Sequence, residues 1–156
     1  MKRAAVIRGA VKRRPFLQAD GLTIVNGDML RTRAVDEGSV NLAVTSPPYN
    51  VGIDYGRHDD RTTYRNYLAF SRQWLARCYA WLAPGGRLCL NVPLDKNKGG
   101  QQSVGADLTA IAKDAGFRYH ATIIWNEGNI SRRTAWGSWL SPSAPYVIAP
   151  VELIIV

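Results

Sequence analysis

Histidine, cysteine and methionine number two each among 156 residues, and that scarcity excludes several kinds of chemistry. His58 and His120 are far apart, and no group of His, Cys, Asp and Glu has a metal-ligand spacing, so no metal is expected. Cys78 and Cys89 fall in a helical and a strand-like stretch, where they read as small buried residues. No apolar run approaches the roughly 20 residues that cross a bilayer. The apolar run within the N-terminal MKRAAVIRGAVKRRP is too short for a secretory leader, which makes the cytoplasm the expected location. Internal repeats and low-complexity tracts are missing too.

Acidic residues are also few: twelve Asp and Glu stand against twenty Lys and Arg, a net charge of +8. The excess is uneven. Lys2, Arg3, Arg8, Lys12, Arg13 and Arg14 face only Asp20 within residues 1–20, so this basic arm carries +5. Such arms track phosphates through counterion release, and a merely solvated tail has the same composition. The length suits one domain with a real core, and the 46% apolar and 10% aromatic content suits a globular one.

LTIVNGD (22–28) reads as a short strand closed by Gly27, with a helical turn, MLRTRAV, after it. VNLAVT (40–45) is apolar apart from Asn41 and reads as a strand buried on both faces. Tyr64, Leu68, Leu75, Cys78 and Leu82 recur at helical spacing before a stop at Pro84-Gly85-Gly86. RLCLNV (87–92) is a strand, PLDKNKGGQQSV a polar loop, and GADLTAIAKDAGF a helix ended by Gly116. YHATIIW (119–125) and VELIIV (151–156) complete the strands. Alternating strands and helices predict an α/β fold with a mostly parallel sheet and helices on both faces. Ligands of such sheets bind beyond the carboxyl ends of the strands, where TSPPYN falls.

Pro47 and Pro48 stiffen that turn and remove two amide hydrogens, leaving carbonyl acceptors with few donors of their own. Ser46 adds a hydroxyl and Tyr49 a flat ring. An acceptor-rich rim beside a ring suits a planar heterocycle with an exocyclic amine. A tight proline turn with Tyr49 packed inward is the plainer alternative.

TSPPYN resembles the catalytic motif of the amino-directed DNA methyltransferases, which methylate cytosine N4 or adenine N6. NGDML before it, YLAFSRQWLARCYAWLAPGGRLCLNVP after it, and the later IIWNEGN, TAWGSWLSPSAPYV and VELIIV resemble the permuted beta class of that family. The likeness covers residues 22–156, the catalytic portion (21–156) beyond the arm. It implies a Rossmann-like methyltransferase fold, S-adenosyl-L-methionine as cofactor and DNA as partner, with the target base swung out of the duplex. Ser46, Pro47, Pro48 and Tyr49 are then the catalytic residues, with the amine held by the Ser46 hydroxyl and the Pro47 carbonyl and the ring on Tyr49. Asp28, Thr45 and Ser46 fall on the cofactor side, although Asp28 would serve equally as a helix N-cap. Serine at 46 leans toward cytosine N4. In residues 131–147, Arg132, Arg133, Trp136, Ser138 and Trp139 form a candidate DNA-contacting segment, with packed tryptophans as the alternative. Asp59 and Asp60 read as solvated loop charges.

The family carries its glycine-rich cofactor loop after the part seen here, and neither GGRL nor KGGQQSVGAD stands in for it. The missing strands belong between 22–26 and 40–45. The expectation is a truncated enzyme, with a partner chain or homodimer supplying the missing half, or direct pairing of 22–26 with 40–45, as alternatives. A non-catalytic nucleic-acid-binding remnant is the competing function, and an RNA or protein methyltransferase a third.

Overall fold

The computed structural model describes residues 16–52, 54, 60–94, 102–126 and 151–156. Strands β1 (Leu17–Ala19) and β2 (Leu22–Ile24) form an antiparallel hairpin turned at Asp20-Gly21. Strand β3 (Val40–Thr45) leads toward helix α1 (Tyr64–Trp81), and strand β4 (Leu82–Pro93) follows directly. Helix α2 (Val104–Asp114) and strands β5 (Thr122–Asn126) and β6 (Val151–Ile155) complete the described elements. The main sheet has the order β3-β4-β6-β5.

β3 pairs parallel with β4, while β6 lies antiparallel to both β4 and β5. Three of the four strands therefore point the same way, and the reversed one is inserted between two of them. The expected predominance of one direction holds, but only one of the three pairings is parallel.

α1 closes its first turn with Thr63, whose hydroxyl accepts the Asn66 N–H at 3.3 Å. Tyr67, Ser71, Trp74, Leu75 and Cys78 make its buried stripe. α2 buries Val104, Leu108, Ile111 and Ala112. The helices pack on each other, and with Leu88, Leu90 and Val92 of β4 and Ile155 of β6 they form one core. Each fully buried Leu or Val adds roughly 1.5–3 kcal/mol over its exposed state.

Among the described residues, both helices lie on one face of the sheet. The consequence shows in β3: Ala43 faces the helices, whereas Leu42 and Val44 are 56% and 71% exposed. The strand is an edge with one covered side, not one buried on both. The 22–26 stretch also differs. β2 pairs with β1, drawn from the end of the basic stretch, and not with β3.

Pro84-Gly85-Gly86 is not the stop of α1. The helix ends at Trp81, and the Leu82 N–H closes it on the Cys78 carbonyl. The three residues sit inside β4, where the register slips from Val40↔Leu82 to Leu42↔Arg87. A Cβ on Gly86 would meet the Ala83 and Val40 carbonyl oxygens at 2.9 Å, so the bulge needs glycine there. A breaker seen in the sequence was a strand irregularity in the fold.

Candidate active site

Four strand ends meet at one rim: the C-terminal ends of β3, β4 and β5 and the N-terminal end of β6. β3 ends at Thr45, half-buried and paired with Leu90, and delivers Ser46 to the rim. Ser46 is exposed, Pro47 buried, and Pro48 and Tyr49 half-buried.

The Tyr49 side chain turns its hydroxyl toward the sheet. It lies 2.8 Å from Ser46 Oγ, accepts from Asn91 Nδ2 at 3.0 Å and donates to Glu152 Oε2 at 3.0 Å. Asn91 Nδ2 also donates to Glu152 Oε2. Asn91 and Glu152 alternate with the core residues Leu90, Val92 and Ile155, so both project from the face opposite the helices. Burial lifts the Tyr49 phenol above its ordinary pKa of 10, Ser46 lowers it, Glu152 raises it by bond and charge, and Asn91 lowers it. The phenol is a neutral donor at pH 7. Its hydroxyl is committed inward, while the Ser46 hydroxyl stands at the surface.

The backbone after Tyr49 is pinned separately. Asp60 is 2% exposed, and its carboxylate accepts the N–H groups of Asn50 at 2.8 Å and of Val51 and Gly52 at 2.9 Å. Asn50 and Gly52 have φ of 54° and 86°, a left-handed turn whose consecutive amides converge on one anion. Asp60 is therefore a buried anchor and not the solvated charge expected of it; Asp59 lies outside the described residues. A little further on, Tyr64 at the start of α1 donates to Asp107 Oδ2 of α2 at 2.7 Å, joining the two helices. Tyr67 is pushed up to about 12, chiefly by burial, with Asp60 and Tyr49 adding and Ser71 opposing.

Asp28 sits after β2, where its Oδ1 accepts the Leu30 N–H at 2.9 Å and its Oδ2 lies 3.4 Å from Arg31 Nε. Its side chain remains half exposed. No hydrogen bond among the described residues joins it to the Ser46 cluster. Arg132, Arg133, Trp136, Ser138 and Trp139 lie outside the described residues. A cavity of about 750 Å³ opens at the opposite rim, lined by Arg87, Lys113, Arg118 and His120 among others, and none of the Ser46 cluster lines it.

Sequence reasoning passed over Asn91, Glu152 and Asp60. For the first two a signal existed: each is a polar residue near the functional-rim end of an otherwise apolar strand, RLCLNV and VELIIV. Trp125 pairs in register with Glu152, and its half-exposed ring belongs to the same face.

Residues 40–156, which hold this entire cluster, match the N6_N4_Mtase family, DNA methylase. The chain belongs to that family. It is 60% identical over 137 residues to the type II methyltransferase M.MjaVI of Methanocaldococcus jannaschii, covering 88% of this chain and 70% of that one. With M.HpaI of Haemophilus parainfluenzae it shares 33% over 91 residues, 58% of this chain and 27% of that one. The methylase fold also matches TTHA0409 of Thermus thermophilus, solved in complex with S-adenosyl-L-methionine, with a TM-score of 0.58 at 25% identity over 83% of this chain and 49% of that one. A cytosine-N4-specific methyltransferase, PvuII, gives 0.59 at 19% identity over 83% of this chain and 46% of its own, a likeness of fold. The chain spans about half the length of the solved structures it matches.

Proposed function

We propose that the methylase transfers a methyl group from S-adenosyl-L-methionine to the exocyclic amine of a DNA base held outside the duplex, with cytosine N4 as the preferred target. The observation that carries this reading is an exposed Ser46 hydroxyl beside a half-buried Tyr49 ring on a diproline frame. An amine stacked inside a duplex cannot reach such a corner, so the base must be extruded, at a cost of a few kcal/mol. The Tyr49 ring then stacks on it, an interaction worth about 1–3 kcal/mol in single-strand binders. Ser46 Oγ and the Pro47 carbonyl accept the two amine hydrogens and orient the nitrogen lone pair. Orientation is the main service here, since well-positioned groups remove several kcal/mol from a barrier. Serine at 46 supports cytosine over adenine.

Part of the residue set expected to hold the cofactor is present. Asp28 keeps a half-exposed carboxylate that would suit ribose hydroxyls, and Thr45 and Ser46 stand at the end of β3. The Glu152 carboxylate and the Tyr49 ring favour a nearby cation. When bound, S-adenosyl-L-methionine supplies an electrophilic methyl group. The chain's own residues hold the base and exclude competing orientations. Arg132 and Arg133 would meet phosphates, with Trp136, Ser138 and Trp139 nearer the bases.

DNA incubated with the chain and methyl-labelled cofactor, then digested to nucleosides, tests the reading. The label is expected in N4-methyl-2′-deoxycytidine. Label in N6-methyl-2′-deoxyadenosine would overturn the cytosine preference, and label in protein or in added RNA with none in DNA would overturn the function.

A further inference from the structure

The hydrogen-bonded chain Ser46–Tyr49–Glu152 has a direction, and its far end fixes it. An ionised carboxylate only accepts, and an amide nitrogen only donates. Asn91 Nδ2 contacts both Glu152 Oε2 and Tyr49 OH, so this amide is held nitrogen-first. The reversed amide would set its oxygen against the carboxylate. Tyr49 has one hydroxyl hydrogen, and Glu152 Oε2 receives it at 3.0 Å. The phenol has none left for Ser46. The 2.8 Å contact between Ser46 Oγ and Tyr49 OH must therefore use the serine's hydrogen. What Ser46 turns to its exposed side is lone pairs alone.

We propose that Glu152, supported by Asn91, is a positioning residue that points the Ser46 hydroxyl inward, so that the site accepts a nucleobase amine and rejects a carbonyl at the same ring position. The inference rests on the reading of Ser46 as the amine-binding group. Its physical content is a difference between two ligands of one shape. A cytosine or adenine amine brings a hydrogen to the Ser46 lone pair. A uracil or hypoxanthine carbonyl brings a second acceptor, and with no hydrogen between them both oxygens are left unsatisfied. A freely rotating serine could serve either ligand by turning its hydrogen outward. The Glu152 carboxylate forbids that turn through Tyr49.

Affinities of the chain for cytidine against uridine, and adenosine against inosine, measured by NMR titration, test this without knowledge of the recognition sequence. The unaltered chain should favour the amine of each pair by about five- to tenfold, the scale of one hydrogen bond. Glu152→Ala releases the phenol hydrogen toward Ser46, whose own hydrogen then points outward, and the ratio should fall to near one. Tyr49→Phe keeps the ring, cuts the same relay and should lose the preference too, which covers an alanine variant that does not fold. Glu152→Gln can still accept from Tyr49 and should keep the preference. Either Glu152→Ala or Tyr49→Phe retaining the full ratio overturns the inference, as does a glutamine variant that falls as far as the alanine one. Equal binding of both members by the unaltered chain, or binding of neither, removes instead the reading of Ser46 as an amine site, and this inference with it.

Discussion

Replacing Ser46 with alanine should lower the rate of methyl transfer by about 100-fold, the scale seen when one positioned group is lost from a reacting centre. The expectation follows from where the serine stands. It is exposed, and Asn91 continues to donate to the Tyr49 hydroxyl without it, so the fold loses little; surface changes of this kind stay within about 0.5 kcal/mol. The loss falls on orientation. Without Oγ the amine keeps one of its two acceptors, the Pro47 carbonyl, and can rotate. Affinity for DNA is dominated by phosphate contacts and should change little. The signature is a fall in kcat with KM for DNA and cofactor affinity within threefold, read from initial rates of label incorporation. A kcat within threefold of the unaltered chain would show that Ser46 does not touch the reacting amine.

Asp60→Ala should produce the largest loss of stability, about 3 kcal/mol. Three backbone N–H groups converge on this carboxylate from a left-handed turn, and one of the three bonds is fully buried. A buried donor left without an acceptor costs roughly 1–3 kcal/mol, and bonds to a charged acceptor lie toward the upper end. Water can reach the two part-buried amides, which keeps the total below the sum of three full penalties. For a domain of this size about 3 kcal/mol lowers Tm by roughly 6–12 °C. Asp60→Asn replaces one acceptor oxygen by a donor and should fall between. Activity should drop in both, because the turn sets the backbone that follows Tyr49. Thermal unfolding checks the magnitude. A shift under about 2 °C in the alanine variant would mean that the turn holds itself.

Most of the elements were legible because their signals are local. β3 was read at its true bounds from an apolar run, and α2 from its period and Gly116. The rim position of TSPPYN followed from its place at the end of an apolar strand. What sequence could not supply was pairing. Nothing in LTIVNGD says that three of its residues turn back on Leu17–Ala19, because a short strand carries no label for its partner. Nothing in VNLAVT says that Leu42 and Val44 stay exposed among the described residues. Pro84-Gly85-Gly86 misled for a related reason: the same residues stop a helix or bulge a strand, and the pairing with β3 decides which. Asp60 was misread because its role depends on amides eight to ten residues earlier in the chain. Glu152 lies more than a hundred residues from Tyr49, and only the insertion of β6 beside β4 brings them together.

The most direct test of the site is to ask which protons of the protein lie against a bound base. With the tyrosine rings isotopically labelled and deoxycytidine added, the Tyr49 ring resonances should move upfield and show nuclear Overhauser contacts to the H5 and H6 protons of the base, and Tyr49→Ala should abolish both. Unmoved Tyr49 resonances, with base contacts instead to residues such as Tyr79 or Phe117 at the opposite rim, would contradict the assignment of the diproline corner as the place where the base is held.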